Sequence, residues 1–439
     1  MDMSMPGMEM PQKASPVKAP APVPEQPVVA LPPSPTTDGP MDMSMPGMTH
    51  MDRSAMGHMS HGGMAHGSGT SQVPAASGHV HGLQKTIGGW DVMLHGYLWG
   101  AYTDQGGPRG GSLAFVQSHA MLQGTHTLGS GAAVQLRATM SLEPLIGRRG
   151  YPLLFQTGET AFGVAIVDRQ HPHDLFIELS ARVNVDTPLG KVFVYGGPVG
   201  EPALGPAVYL HRASAKYNPE APIVHHWFDS THIAYGVVTA GLQTSTWQVE
   251  GSAFRGRDPD ERRYNIETPK LDSYSARLSW NPNPHWSSQI SFGRLTSPEV
   301  QDPLSDEERY IATTSYASGR GLNVTAGVAR KKRLPGRAST AFLLEGNYDF
   351  HKHEAVFARV ESVDNEELFN ATPLDPRIGV AYRVTKFSLG YGYTVPINGP
   401  LAATFGGSAS VYAKPAALDS AYGIFPVSGT FFVKLSLGG

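Results

Sequence analysis

From Trp90 to the C-terminus, apolar and polar residues alternate in short segments separated by turn residues. Residues 273–280 show the pattern well, because four apolar residues alternate there with three serines and Arg277. The same alternation recurs in residues 174–185 and 341–350. A period of two places apolar and polar side chains on opposite faces of a β-strand. This part of the chain is therefore predicted to be all-β.

The number and spacing of these segments favour a closed barrel over a soluble sandwich. Segments of about 10 residues joined by alternating short turns and longer loops are typical of transmembrane antiparallel β-barrels, whose apolar face contacts lipid. Sixteen strands are predicted, at residues 90–103, 112–127, 132–144, 174–187, 191–199, 232–243, 246–256, 271–281, 285–296, 309–318, 321–331, 341–350, 354–363, 376–395, 402–413 and 428–437. An even number would leave both termini on the periplasmic side.

Residues 376–395 fit the alternation less well. The apolar positions run through Ile378, Val380, Tyr382 and Val384 and then change phase at Phe387. Thr385 and Lys386 would therefore form either a bulge within one strand or a turn between two strands. We favour the bulge, because bacterial single-chain barrels normally have an even number of strands.

The N-terminal part of the chain has a different composition. Residues 11–40 contain ten prolines, and residues 61–78 are rich in glycine and serine. Such sequences favour extended or disordered chain over a packed core. We therefore predict two regions, a disordered tail at residues 1–87 and an outer-membrane barrel at residues 88–439.

Composition narrows the possible functions. The chain has 439 residues, a formal net charge of −3 and no cysteine. Disulfides, thiolate metal sites and thiol catalysis are thus excluded, and the absence of basic runs argues against nucleic-acid binding. No apolar run is long enough for a membrane-spanning helix, and no secretory signal is visible. Export to the outer membrane of a Gram-negative bacterium, with the tail in the periplasm, is an expectation from the barrel pattern.

Methionine is concentrated in the tail. Thirteen of the sixteen methionines lie in the first 64 residues, and the octapeptide MDMSMPGM occurs at both 1–8 and 41–48. Thioethers prefer Cu(I), and the interleaved imidazoles of residues 49–66 also suit Cu(II). The alternative is a low-complexity repeat without a ligand. The predicted copper ligands are Met1, Met3, Met5, Met8, Met41, Met43, Met45, Met48, His50, Met51, Met56, His58, Met59, His61, Met64 and His66.

A second candidate site lies in the predicted barrel wall. If the loop of residues 104–111 is centred near Gly107, strand pairing places Met93 opposite Met121 and His95 opposite His119. Directly opposed side chains on one face of a sheet are close enough to share an ion. The alternative is that these four are ordinary wall residues, since the register is open to a shift of two.

Two predicted outer loops are rich in histidine. DRQHPHD supplies His171 and His173, and residues 211–232 supply His225 and His226 among others. These loops could capture a metal ion, or their histidines could serve only as structural hydrogen-bonding groups. A further possibility is a hydrolase at the barrel rim that uses His171 and His173 with Asp168 and Asp174.

Charged residues are also predicted on the inward faces of the strands, where they would pair across the wall and tune the lumen. These residues are Glu178, Arg182, Glu250, Arg277, Glu345, Asp349, Arg359 and Glu361.

The tail sequences MDMSMPGM and HMDRSAMGHMSHGGMAH resemble the Met/His-rich leader of the copper-resistance protein B family, which are outer-membrane barrels of copper-tolerant bacteria. The barrel segments DRQHPHD, HHWFDSTH and EGSAFRGRDPDERRYNIE look more like an uncharacterised group of copper-associated outer-membrane barrels. This resemblance implies copper ligation by the tail methionines and histidines, and it assigns no role to any barrel residue.

The sequence therefore predicts an outer-membrane copper-binding barrel without enzymatic activity, which contributes to copper resistance by sequestration or transport. Its expected partners are membrane lipid, copper ions and periplasmic copper-handling proteins. Two alternatives remain open: a general or organic-solute porin with an incidental metal-binding tail, and the barrel-rim hydrolase.

Removal of residues 1–66 tests the tail prediction. Because most soft donors lie there, we expect the purified protein to lose most of its Cu(I) stoichiometry on deletion, as measured by titration with Cu(I) and Cu(II). An unchanged stoichiometry would remove the main reason for assigning copper to the tail.

Overall fold

The computed structural model describes residues 64–78 and 82–438 of the chain. Within these residues, no helix is long and apolar enough to cross a bilayer. Twenty-one strands are present: β1 (Met64–His66), β2 (Gln72–Pro74), β3 (Leu83–Ile87), β4 (Trp90–Gln105), β5 (Gly111–Thr127), β6 (Ala132–Met140), β7 (Tyr151–Ala161), β8 (Val164–Gln170), β9 (Phe176–Thr187), β10 (Gly190–Gly200), β11 (Ala234–Gln243), β12 (Trp247–Phe254), β13 (Ser273–Trp280), β14 (Trp286–Leu295), β15 (Asp306–Ala317), β16 (Leu322–Leu334), β17 (Ala338–Asp349), β18 (Glu354–Asn365), β19 (Tyr382–Asn398), β20 (Leu401–Ala413) and β21 (Val427–Leu437). Two four-residue helices, α1 (His225–Phe228) and α2 (Asp419–Tyr422), lie in connections between strands.

Sixteen of these strands form a closed antiparallel barrel. They are β4 to β6 and β9 to β21, and each pairs with the next barrel strand along the chain. The barrel closes where β21 pairs with β4, from Leu437 opposite Gly96 to Ser428 opposite Gln105. The short strand β3 pairs with the remaining end of β4, from Trp90 to Leu94. The predicted all-β fold and its sixteen strands are confirmed.

The alternation in the sequence corresponds to an outer apolar face and an inner polar face. On β13, Tyr274 and Trp280 are exposed on the outside, while Ser275 and Arg277 are buried inside. Trp247 and Trp280 stack with their ring centroids 5.6 Å apart near the short turns at one end of the barrel. An apolar outer band with aromatic residues near its margins is the surface that a barrel presents to lipid.

The predicted bulge at Thr385 and Lys386 is wrong. Both residues lie within β19, and their pairing with β18 and β20 is continuous through this point. Lys386 points inward, and so does Val384, which was expected to face lipid. Val384 belongs to a buried apolar cluster that includes Phe155 from the β7–β8 hairpin. Ile378 and Val380 lie before β19, which begins at Tyr382 and not at residue 376, so they do not set the phase of this strand. Tyr382 and Val384 point inward because they pack in the cluster with the internal hairpin.

The chain is ordered earlier than residue 88, where the barrel was predicted to begin. Residues 64–78 form the β1–β2 hairpin and a one-turn helix, and they lie against the inner wall. The Thr70 hydroxyl donates to Glu250, and Gln72 Nε2 donates to Gln248 Oε1 at 2.8 Å. The glycine- and serine-rich composition of residues 61–78 predicts disordered chain, but small polar side chains also fit a crowded polar lumen. That expectation is corrected for residues 64–78 and for β3.

The connection between β10 and β11, residues 201–233, folds into the barrel, and we call it the inner segment. Arg212 Nε donates to Glu345 of β17 at 2.6 Å, and Glu220 accepts from Lys386 of β19 at 2.6 Å. On the other side of the segment, Arg277 of β13 donates to the Gly205 carbonyl at 2.8 Å. Because these partners lie on strands well separated around the wall, the inner segment crosses the lumen.

The predicted inward charges are confirmed, and most form ion pairs. Arg277 contacts Glu250 at 2.9 Å, and Arg359 contacts Glu345 at 2.9 Å. Both pairs join neighbouring strands and are almost completely buried. A buried pair of this kind is retained only where geometry and additional hydrogen bonds offset the cost of desolvation.

Arg277 provides a test of how the lumen is held together. It contacts Glu250, the Gly205 carbonyl and Thr70, so Arg277→Ala leaves a buried carboxylate unpaired. We expect a loss of about 3–5 kcal/mol in stability. The readouts are a lower unfolding temperature in a heat-modifiability gel assay and faster proteolysis of the inner segment.

Arg277→Lys keeps the charge but loses the planar guanidinium that donates to several partners, so its unfolding temperature and proteolysis rate should lie between those of the wild type and Arg277→Ala. Arg320→Ala, in an exposed turn, is the matched control and should leave both readouts unchanged. If Arg277→Ala behaves like Arg320→Ala, the ion pair does not hold the inner segment.

Candidate metal centre

The two histidine-rich sequences converge inside the barrel. His171 and His173 lie in the connection between β8 and β9, whereas His225 and His226 lie in α1 of the inner segment. His232 ends the one-turn helix Ser230–His232, just before β11. All five side chains are buried. These histidines are therefore interior groups and not exposed residues at the barrel rim.

Three of them form a compact group, which we call the three-histidine cluster: His173, His225 and His232. A nitrogen from each ring lies within 4.8 Å of a nitrogen from each of the others. The ring centroids of His173 and His232 are 5.0 Å apart, and those of His225 and His232 are 5.2 Å apart. Three imidazoles with room for a further ligand are a frequent donor set for zinc and copper.

Each ring of the cluster has an oxygen beside its Nδ1 atom. Asp229 Oδ1 is hydrogen-bonded to His225 Nδ1 at 2.7 Å, whereas Glu143 Oε2 lies 2.9 Å from His173 Nδ1 without hydrogen-bond geometry. The backbone oxygen of Asp229 lies 2.7 Å from His232 Nδ1. Metal-bound histidines commonly donate their other ring N–H to a carboxylate or carbonyl, which fixes the tautomer and the orientation of the ring.

The Nε2 atoms of the same three rings are buried and have no hydrogen-bond partner among the described residues. A buried polar atom without a partner is costly, and such atoms are uncommon in folded proteins. A metal ion coordinated by the three Nε2 atoms would satisfy all of them together. The arrangement therefore fits a metal ion through the donor atoms that the fold leaves available.

The cluster is connected to the barrel wall through Asp229 and Arg212. Arg212 Nη1 contacts Asp229 Oδ2 at 2.6 Å, and its Nε contacts Glu345 at 2.6 Å. The backbone N–H of Tyr209 also donates to Asp229, at 3.0 Å. These contacts fix the carboxylate that orients His225, so the ligand positions depend on how the inner segment docks.

The pKa shifts at the cluster and at the neighbouring Asp229 do not all favour metal binding. Burial lowers the pKa of His232 well below its ordinary value, which keeps that ring neutral. Burial alone would raise the pKa of Asp229, but Arg212 and His225 outweigh it and lower the pKa, so the carboxylate stays ionised. For His173, burial lowers the pKa, but Glu143 outweighs it and the net pKa is raised. His232 is thus neutral and Asp229 ionised, as metal binding requires, whereas a metal ion at His173 would have to displace a proton.

His171 and His226 belong to an adjacent group. Their ring centroids are 5.4 Å apart, and His171 Nδ1 lies 3.1 Å from Glu159 Oε1. His171 and His173 therefore lie in different groups, although only one residue separates them in the sequence. Glu143 was not predicted as part of a site, because it lies near the end of the predicted strand 132–144 and belongs to no recognisable ligand motif.

The predicted register of the wall site is wrong by two residues. His95 lies opposite Met121, Tyr97 lies opposite His119, and Met93 lies opposite Gln123. The hairpin is centred near Pro108 instead of Gly107, and a shift of one residue in the turn shifts every partner by two.

The wall histidines nevertheless lie close to each other and to the inner segment. The His95 and His119 ring centroids are 5.9 Å apart, and His119 Nε2 lies 2.9 Å from His211 Nε2. His211 thus replaces Met93 in this group, which the sequence alone did not indicate.

Most predicted ligands of the tail lie outside the described residues: Met1, Met3, Met5, Met8, Met41, Met43, Met45, Met48, His50, Met51, Met56, His58, Met59 and His61. Met64 begins β1. His66 Nδ1 accepts from Arg182 at 3.3 Å and lies 3.2 Å from Gln72 Nε2.

The carboxylates of the hydrolase hypothesis are engaged elsewhere. Asp168 contacts Arg109 at 2.7 Å and accepts from the Phe155 N–H, and Asp174 contacts Arg263 at 3.2 Å. His171 and His173 instead contact Glu159 and Glu143. The proposed set of His171, His173, Asp168 and Asp174 is therefore not assembled as one site.

No protein-family model matches this chain, and no curated protein does. Among solved structures, the chain is similar to OmpF of Salmonella typhi in complex with daunomycin, with 9% identity, 81% of this chain and 100% of that chain covered, and a TM-score of 0.53. The anion-selective porin from Comamonas acidovorans matches with 11% identity, 79% and 99% coverage and a TM-score of 0.48. The outer membrane channel DcaP of Acinetobacter baumannii matches with 10% identity, 80% and 99% coverage and a TM-score of 0.48. The first of these likenesses shows that the chain has the fold of outer-membrane porins.

Proposed function

We propose that this protein is an outer-membrane barrel that binds copper inside its lumen and contributes to copper resistance by sequestration or passage. The observation that carries the proposal is the three-histidine cluster: one nitrogen of each ring lies within 4.8 Å of the others, and the buried Nε2 atoms have no hydrogen-bond partner among the described residues. The proposal needs no chemical turnover.

Copper is favoured over zinc by the donors outside the cluster. Three imidazoles alone suit either metal. The Met/His-rich tail adds many thioethers, which bind Cu(I) and are poor zinc ligands. Met121 adds a further thioether, because it lies opposite His95 in the group that includes His119 and His211. In this proposal, the tail exchanges copper with periplasmic copper-handling proteins.

Substitution of two ligands tests the cluster. Wild-type protein should bind Cu(II) with an electron paramagnetic resonance (EPR) spectrum that shows nitrogen hyperfine coupling, and His225→Ala combined with His232→Ala should lose that species. We expect the affinity of this site to fall by about 100-fold or more, since removal of a supporting partner alone costs about 10–100-fold. His351→Ala, at an exposed position beside Glu354, is the matched control.

Deletion of residues 1–63 separates the cluster from the tail. The shortened protein keeps all described residues and should retain the EPR species of the cluster while losing Cu(I) stoichiometry. If zinc displaces copper from the cluster completely and the double substitution leaves Cu(II) binding intact, the copper assignment is wrong.

A second candidate function is a solute channel, which the porin fold favours. The inner segment opposes it, because that segment crosses the lumen and is held by buried ion pairs. We therefore expect the single-channel conductance in a planar bilayer to be well below that of an open 16-stranded porin. Conductance equal to an open porin, together with uptake of neutral solutes in a liposome-swelling assay, would favour the channel.

A further inference from the structure

A second group of buried ligand atoms lies beside the three-histidine cluster. His226 comes from α1, Asp258 from the connection between β12 and β13, and Glu299 from the connection between β14 and β15. One ligand atom from each lies within 4.8 Å of the others. The three side chains are 2%, 6% and 7% exposed, so water has little access to them. Three separate connections thus place an imidazole and two carboxylates together in the interior.

The donor atoms of this group have no hydrogen-bond partners among the described residues. Both ring nitrogens of His226, Oδ2 of Asp258 and Oε1 of Glu299 are buried without a hydrogen bond to any described residue. His226 Nδ1 and Asp258 Oδ2 are 4.0 Å apart, which is too long for a hydrogen bond. A gap of this size between a nitrogen and a carboxylate oxygen can be bridged by one cation with bonds of about 2.0–2.2 Å.

The charges around the group leave an excess of negative charge. Lys331 Nζ is shared among Glu299, Glu307 and Glu367 at 3.7, 3.6 and 3.5 Å. These distances are longer than a direct charge-assisted hydrogen bond of about 2.7–2.9 Å. Lys331 therefore does not fully neutralise Glu299.

The negative charge of Asp258 is less well compensated than that of Glu299. Among the described residues, it has no lysine or arginine within 4.0 Å, and His226 is its only ion-pair partner at that limit. Arg309, which acts on Asp258 through space, is paired with Glu307 at 2.9 Å. A divalent cation between Asp258 and Glu299 would offset both charges.

We propose that His226, Asp258 and Glu299 form a second metal site, for a harder divalent cation of the Mn²⁺ or Fe²⁺ class. One imidazole with two carboxylates is a harder donor set than three imidazoles, and oxygen donors suit ions such as Mn²⁺. His171 offers a further donor, since its buried Nε2 also has no hydrogen-bond partner among the described residues and its ring centroid lies 5.4 Å from that of His226.

The two sites are neighbours because two consecutive residues of α1 belong to different sites. His225 belongs to the three-histidine cluster, His226 belongs to the carboxylate site, and their ring centroids are 5.3 Å apart. The fold thus presents two donor sets of different hardness side by side. The competing occupant of the second set is a proton, because burial and the mutual repulsion of Asp258 and Glu299 raise the pKa of Asp258, and burial with Glu367 raises the pKa of Glu299 to about 7.

The test uses purified full-length protein at pH 8 and the EPR signal of free Mn²⁺, which disappears when the ion binds. We expect one bound Mn²⁺ per chain. Asp258→Asn combined with Glu299→Gln should weaken this binding by about 100-fold or more while changing side-chain size little. Asp186→Asn, at an exposed acid near the end of β9, is the matched control and should bind Mn²⁺ like the wild type.

Independence from the copper proposal is tested in the same assay. The His225→Ala, His232→Ala protein should keep its Mn²⁺ affinity within a few fold, because those rings belong to the other site. If the double carboxylate variant fails to fold, as judged by heat modifiability, Glu299→Gln alone should still weaken Mn²⁺ binding by about tenfold. Wild-type protein that binds no more Mn²⁺ than the carboxylate variants would overturn the second site, whether or not the copper site is correct.

Discussion

The structure depends on buried ion pairs between the barrel wall and the inner segment. Arg212 joins Asp229 of that segment to Glu345 of β17, and Glu220 is paired with Lys386 of β19. Charges removed from water are costly unless they are paired closely and hydrogen-bonded further, so each contact admits only a narrow range of positions. The inner segment is thereby fixed in the lumen, and the histidines that it carries are fixed with it.

This arrangement explains why an architecture shared with porins has a different interior. A 16-stranded barrel is wide enough for an aqueous channel, yet here the inner segment, the β7–β8 hairpin and residues 64–78 pack against the wall. Within this packed interior, unpaired imidazole nitrogens and carboxylate oxygens remain in two adjacent groups.

Local patterns predicted the strands well because each strand is determined by neighbouring residues. Alternation with a period of two and the intervening turns were enough to place all sixteen strands and the inward charges such as Arg277 and Glu250. One error occurred where a distant residue matters: Val384 points inward and packs in a cluster with Phe155. The other is local: His95 faces Met121 because the β4–β5 hairpin turns one residue later than expected.

The sequence by itself determined the all-β barrel, its strand number, its polar inner face and the types of donor available, because these properties follow from the residue types and their spacing. Only the tertiary structure decided which donors meet. His173 and His232 are adjacent because two connections fold into one lumen. His225 and His226 belong to different ligand groups because consecutive residues of a helical turn point in different directions. The physical reason is that a ligand set is defined by distances across the fold, which depend on the docking of the inner segment and are not encoded in any one stretch of the chain.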